Sequence, residues 1–174
     1  MTLPGYIERI GTRDNDTIEG LQREVVYGLD GDDVLTPGYE ANDRGGDAVF
    51  VGGLGSDRYT VTDNQFLVVL DAGNSEGDIL ETDSISFNNE NSFALTYLDS
   101  TLALIDTSNN QTIFVLDWQN PENRIEEFRF EDETLTYDEL VAEIETNDKY
   151  LGDFTETQTI EPVSYTHLRA HETF

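Results

Sequence analysis

The most specific chemistry in the chain is carried by nine residues, Gly52-Gly53-Leu54-Gly55-Ser56-Asp57-Arg58-Tyr59-Thr60. Its three glycines permit a tight turn through backbone conformations closed to other residues, which aims successive carbonyls at one point. An aspartate follows directly. Together they offer what a hard cation takes, about six to eight oxygens from carboxylates and carbonyls. Residues 28–36, Gly-Leu-Asp-Gly-Asp-Asp-Val-Leu-Thr, repeat the arrangement with Gly28, Gly31, Asp33 and an apolar Leu35. Residues 11–19 keep Gly11, Asp16 and Ile18. A weaker copy at 43–51 keeps Gly46, Asp47 and Phe50 but has Ala48 at the carboxylate position, so Asp47 is expected to matter less than Asp57. A single copy would read equally as an Asp-Gly hairpin turn. Copies repeated over so short a stretch argue for an array instead.

The elements that position these groups follow from the same pattern. The three residues from Arg58 to Thr60 form a short strand whose central side chain points inward, because strand side chains alternate faces. Each nine-residue unit is then half a coil, and a cation bound by stacked turns lies between them. The array is irregular. Ile18, Leu35 and Phe50 are not separated by multiples of nine; Gly20–Val26 reads as a decayed half-coil and Thr36–Asn42 as an inserted loop. One to three ions are expected rather than a full ladder.

These residues resemble the haemolysin-type, or repeats-in-toxin, calcium-binding family over residues 8–85, whose nonapeptide is the complete unit at 52–60. The resemblance implies calcium as the ion. It implies Asp16, Asp33 and Asp57 as side-chain ligands, with backbone support from Gly11, Gly28, Gly31, Gly52, Gly53 and Gly55. Residues 86–146 change character. Alternation at Phe93, Leu95 and Tyr97, at Leu102 and Leu104, and at Ile113 and Val115 predicts an antiparallel meander. The spacing of Thr136 and Glu139 is that of a capping box and predicts a helix from Tyr137 to Glu145. This half is similar to the domain that commonly follows such repeats, at Val115-Leu116-Asp117-Trp118, Arg124–Phe130 and Thr134-Leu135-Thr136, although Asp132-Glu133 stands where that domain has Asp-Gly. The expected fold is all-β: a parallel β-roll followed by an antiparallel β-rich cap with one short C-terminal helix. The cap would cover the open strand edges of the roll.

Composition narrows the function. Against 9 Lys and Arg stand 37 Asp and Glu, a net charge of −28 that repels nucleic acid and anionic lipid. There is no cysteine, hence neither a disulfide framework nor a thiolate metal site. The longest apolar run, Phe66–Leu70, is far too short to cross a bilayer. Residues 147–162 read as a truncated linker. Val163–Phe174 resembles translated sequencing-adapter DNA and is read as a non-native tail. Both histidines, His167 and His171, lie in it. Outside the tail there is therefore no histidine, cysteine or serine elbow to run acyl-transfer chemistry, and no catalytic activity is expected. The expectation is a calcium-binding segment of a secreted bacterial protein that folds on calcium outside the cell. The alternatives are the C-terminal region of an exported hydrolase and a calcium-dependent adhesive module with a cell-surface or glycan partner. Extracellular location and export by type I secretion are what the family resemblance implies.

Overall fold

The computed structural model describes residues 5–38, 48–62, 66–73, 77–97 and 100–146. Apart from a 3-10 turn at Pro121–Asn123 and one α-helix, its regular elements are β-strands. In the first half the strands are short and alternate between two sheets. One sheet takes β1 (Ile7–Ile10), β3 (Glu24–Asp30), β5 (Ala48–Leu54) and β7 (Phe66–Leu70) in parallel. The other takes β2 (Thr17–Gly20), β4 (Val34–Pro37), β6 (Arg58–Val61) and β8 (Ile79–Thr82), also in parallel. The chain therefore passes once through each sheet per circuit.

The meander expected from the alternation in the second half forms as β9 (Ser92–Tyr97), β10 (Thr101–Asp106) and β11 (Gln111–Leu116). It does not stand apart from the circuits. β11 pairs in parallel with β7, and β12 (Glu127–Arg129) pairs in parallel with β8, which adds one more circuit to both sheets. β13 (Thr134–Thr136) then closes the second sheet antiparallel to β12. The turn before it forms without the Asp-Gly pair: the Phe130 N–H donates to the Glu133 carbonyl at 2.8 Å. Asp132 is held by the N–H groups of Phe87 and Asn88 and by the Ser86 hydroxyl.

The inward side chains stack in register, and this fixes the phase of each circuit. Ile18 faces Leu35, Leu35 faces Tyr59, Tyr59 faces Leu80 and Leu80 faces Phe128. Across the core, Val26, Phe50 and Val69 stack in the same way, with Val115 beyond Val69. Burying each large apolar side chain is worth about 1.5–3 kcal/mol, and a one-residue slip would turn a strand's whole apolar set outward. Phe50, which the repeat pattern aligns with Leu35, thus lies in the opposite sheet, half a circuit away. What must match between circuits is strand phase rather than length, so the distances need not be multiples of nine.

The helix α1 (Tyr137–Thr146) begins where the capping box places it. The Thr136 N–H donates to Glu139 Oε2 at 2.9 Å, and the Glu139 N–H returns to Thr136 Oγ1 at 3.3 Å. Leu140 and Ile144, four apart on one face, are buried in the cluster that includes Trp118, Ile125 and Phe128.

Candidate metal centre

Where the chain crosses from the first sheet to the second, each of the first three circuits has a glycine five residues before an aspartate: Gly11 and Asp16, Gly28 and Asp33, Gly52 and Asp57. The turns between them need glycine. Gly53 has φ +130, and a Cβ there would strike the Leu29 carbonyl of the neighbouring turn. Gly31 has φ +118, and a Cβ would lie 2.8 Å from the Asp14 backbone.

The aspartates form a column. The Asp16 N–H donates to Asp33 Oδ1 at 2.8 Å, the Asp33 N–H to Asp57 Oδ1 at 2.9 Å, and the Asp57 N–H to Asp78 Oδ1 at 2.7 Å. The next circuit supplies Glu126, whose Oε2 accepts from the N–H groups of Gly77 and Asp78. One oxygen of each carboxylate thus ties its own turn to the preceding one. An outer rung at the surface runs the opposite way, each side chain accepting from the following turn: the Asp32 N–H donates to Asn15 Oδ1 and the Ser56 N–H to Asp32 Oδ1.

The other oxygens are the unusual ones. Asp33 Oδ2 and Asp57 Oδ2 are buried, each in a residue only 1% exposed, and have no hydrogen-bond partner among the described residues. An unpaired buried carboxylate oxygen costs several kcal/mol or more unless something compensates it, so the arrangement calls for a cation or a proton. Each faces the glycine of its own turn: a Cβ on Gly28 would collide with Asp33 Oδ2, and one on Gly52 with Asp57 Oδ2 and the Tyr59 hydroxyl. The Gly52 carbonyl lies 2.8 Å from the place of a Gly28 Cβ. The space a side chain would fill is lined with oxygen.

Where the third and fourth crossings stack, the acids converge. Asp57, Asp71 and Asp78, all buried, each offer an oxygen, and these oxygens lie within 4.8 Å of one another. Three carboxylates so placed could hold a metal ion. The Tyr59 hydroxyl donates to Asp71 Oδ1 at 2.7 Å. Electrostatics register the crowding. Burial, then the charges of Asp78 and Asp33, push the Asp57 carboxyl up to about 7, against a hydrogen bond from the Asp33 N–H that favours its anion. Asp71 is pushed up by burial and by Asp78, and Asp33 by burial and by Asp16. Burial also raises Glu126, opposed by the N–H groups of Asp78 and Gly77. Tyr59 is raised well above the usual phenol range by burial and by the charges of Asp71 and Asp57.

Of the residues singled out by the repeat pattern, Asp16, Asp33 and Asp57 stand in one column, and Gly11, Gly28, Gly31, Gly52, Gly53 and Gly55 in the turns around it. Only Asp57 belongs to the three-acid cluster. Asp16 is half-buried, and its Oδ2 is engaged by the Thr12 N–H at 2.6 Å and the Thr12 hydroxyl at 2.8 Å. Asp71, Asp78 and Glu126 are not among the expected ligands, although Asp71-Ala72-Gly73 and Gly77-Asp78 read as a last degenerate coil. A signal for two of them was present. Every column carboxylate precedes an inward apolar residue by two positions: Asp16 and Ile18, Asp33 and Leu35, Asp57 and Tyr59, Asp78 and Leu80, Glu126 and Phe128. Gly46 and Asp47, the linker and the tail with its two histidines lie outside the described residues.

Neither protein-family models nor curated proteins give a match to the chain. Among the described residues no helix is long and apolar enough to cross a membrane.

Proposed function

We propose that this chain is a calcium-binding β-roll segment of a secreted protein of the repeats-in-toxin kind, and that its role is binding rather than catalysis. The observation that carries the reading is the aspartate column with its buried, unpartnered Oδ2 atoms on Asp33 and Asp57. The donor set is carboxylate and carbonyl oxygen, which suits a hard cation. Calcium tolerates irregular oxygen shells at about 2.3–2.6 Å, whereas magnesium demands a near-ideal octahedron and sheds water reluctantly. Asp33, Asp57, Asp71 and Asp78 are the residues that would hold the ion, beside carbonyls of the glycine turns. The bound ion supplies positive charge where the chain has gathered negative charge.

Without it, like charges oppose one another inside turns whose glycines are costly to order. An ion that binds only the folded form stabilises it by about 2.7 kcal/mol at a hundredfold excess over Kd. Extracellular modules bind calcium with Kd of roughly 10⁻⁴–10⁻³ M, so a site of this kind stays open in the cytosol and fills outside. Circular dichroism should show β-signal rising with calcium and little change with magnesium. Asp57→Ala should blunt the response more than Asp47→Ala. A chain whose spectrum and melting are identical in calcium and in chelator would overturn the proposal.

A further inference from the structure

We propose that the cluster of Asp57, Asp71 and Asp78 is a cation site of a different class from the glycine-flanked steps below it, loading first and positioned by Tyr59. The inference rests on the cation-binding reading above and goes beyond it in assigning an order to the sites. The register carries it. Tyr27 faces Val51 and Leu29 faces Gly53, which sets Gly28 against Gly52. Val51 faces Leu70, which sets Asp71 next in that stack. The column of small residues Gly11, Gly28 and Gly52 therefore gives way to a carboxylate at Asp71, beyond which the register of β11 sets Asp117.

This one replacement changes the charge of the step. At the Asp33 turn one buried carboxylate with one unpartnered oxygen faces a glycine. Where the third and fourth crossings stack, three buried carboxylates converge, among them Asp57 with its unpartnered Oδ2. Affinity of oxygen sites for a cation rises with the number of charged ligands and the rigidity of the site.

Rigidity comes from Tyr59. At the equivalent position the other circuits carry Ile18, Leu35, Leu80 and Phe128, none of which has a polar atom. Tyr59 is fully buried and its hydroxyl donates to Asp71 Oδ1, fixing the carboxylate that replaces the glycine. The hydroxyl fits only because Gly52 has no side chain. Tyr59 is thus a positioning residue. Asp57 also links the cluster to the turn below, because its Oδ1 accepts the Asp33 N–H. Filling the cluster fixes Asp57 and so prepares the Asp33 step.

The experiment is calorimetric titration of the full chain with calcium, paired with terbium emission sensitised through tyrosine. The wild type should show one tight site followed by weaker binding, with sensitised emission rising as the tight site fills. Asp71→Gly, which restores the glycine of the lower circuits, should weaken the tight site by roughly tenfold or more and leave the weaker class in place. Asp71→Asn, nearly isosteric, carries the same test should the glycine variant not fold. Tyr59→Phe keeps the ring but should weaken the tight site by about three- to tenfold and dim the early terbium emission. Asp33→Asn should remove weak binding and spare the tight site. A tight site unchanged by both Asp71 variants, or abolished by Asp33→Asn, overturns the assignment while leaving cation binding intact. Absence of binding in the wild type overturns both.

Discussion

Protons should substitute for calcium in folding the repeats, and Asp57 offers the cleanest way to show it. In the ion-free fold its carboxyl is pushed from 3.8 up to about 7 by burial and by neighbouring acids. A folded value above the unfolded one means that the native state holds the proton more tightly. That stability is complete below pH 4 or so and is lost as pH rises through about 7. One pKa unit corresponds to 1.36 kcal/mol, so a shift of this size sets a ceiling of about 4 kcal/mol. Water penetration and relaxation around the unloaded column reduce this to about 2 kcal/mol, roughly a thirtyfold change in the ratio of folded to unfolded chains. Asp71 is raised in the same direction by burial and by the charges of Asp78 and Asp57, and acids this close do not titrate independently, so its share does not simply add. In chelator, β-signal should therefore grow as the pH is lowered from about 8 to about 5, at a salt concentration that screens the surface acids. In saturating calcium the slope should reverse, because protons then compete with the ion. Asp57→Asn, neutral and nearly isosteric, should be more folded than the wild type in chelator at neutral pH and yet respond less to calcium. A β-signal in chelator that is flat with pH or falls on acidification, or an Asp57→Asn chain less folded than the wild type in chelator, would refute the reasoning.

Other consequences can be measured directly. Gly28→Ala and Gly52→Ala each place a methyl group against a column carboxylate and should lower the calcium-loaded melting stability by about 1–3 kcal/mol. Thr136→Ala removes the hydroxyl that accepts the Glu139 N–H and donates to Glu139 Oε2, leaves the backbone half of the capping box in place, and should cost about 1 kcal/mol in thermal unfolding while leaving calcium affinity unchanged. A chain ending at Pro162 should melt and titrate with calcium as the full chain does; a fall of several degrees would show that Val163–Phe174 contributes structure.

What the sequence disclosed was local chemistry. Gly52–Thr60 declared its turn because a positive φ at Gly53 and Gly55 favours glycine, even though Leu29 holds φ +89 at the position that pairs with Gly53. The helix announced itself because Thr136 and Glu139 satisfy each other's backbone N–H groups within a single turn. The meander showed in the two-residue alternation of its apolar side chains. Each of these is decided by neighbours a few residues apart. Asp71 was hidden because its membership depends on the register of β5 and β7, and the distance to its column partner, Asp78, is seven residues rather than five. Glu126 was hidden more deeply, since it meets Asp78 across 48 residues and only after β9, β10 and β11 have brought the chain back into parallel pairing. The placement of Phe50 in the opposite sheet shows the limit of aligning repeats by composition: both sheets ask for an inward apolar residue, so the pattern alone does not say which sheet a unit enters.

The uneven length of the circuits has a consequence for how such a chain can change. Column partners in the first circuits lie 17 and then 24 residues apart, as |i−j| along the chain, yet the glycine-to-aspartate crossing stays at five residues in the first three. All of the difference is absorbed on the return side, and the longest return there runs from Gly38 to Ala48. In these circuits the crossing keeps one length while the return between column partners varies. Residues inserted between Gly38 and Ala48 would lengthen a return whose length already differs between circuits and would leave the Gly28–Asp33 and Gly52–Asp57 crossings unchanged in sequence.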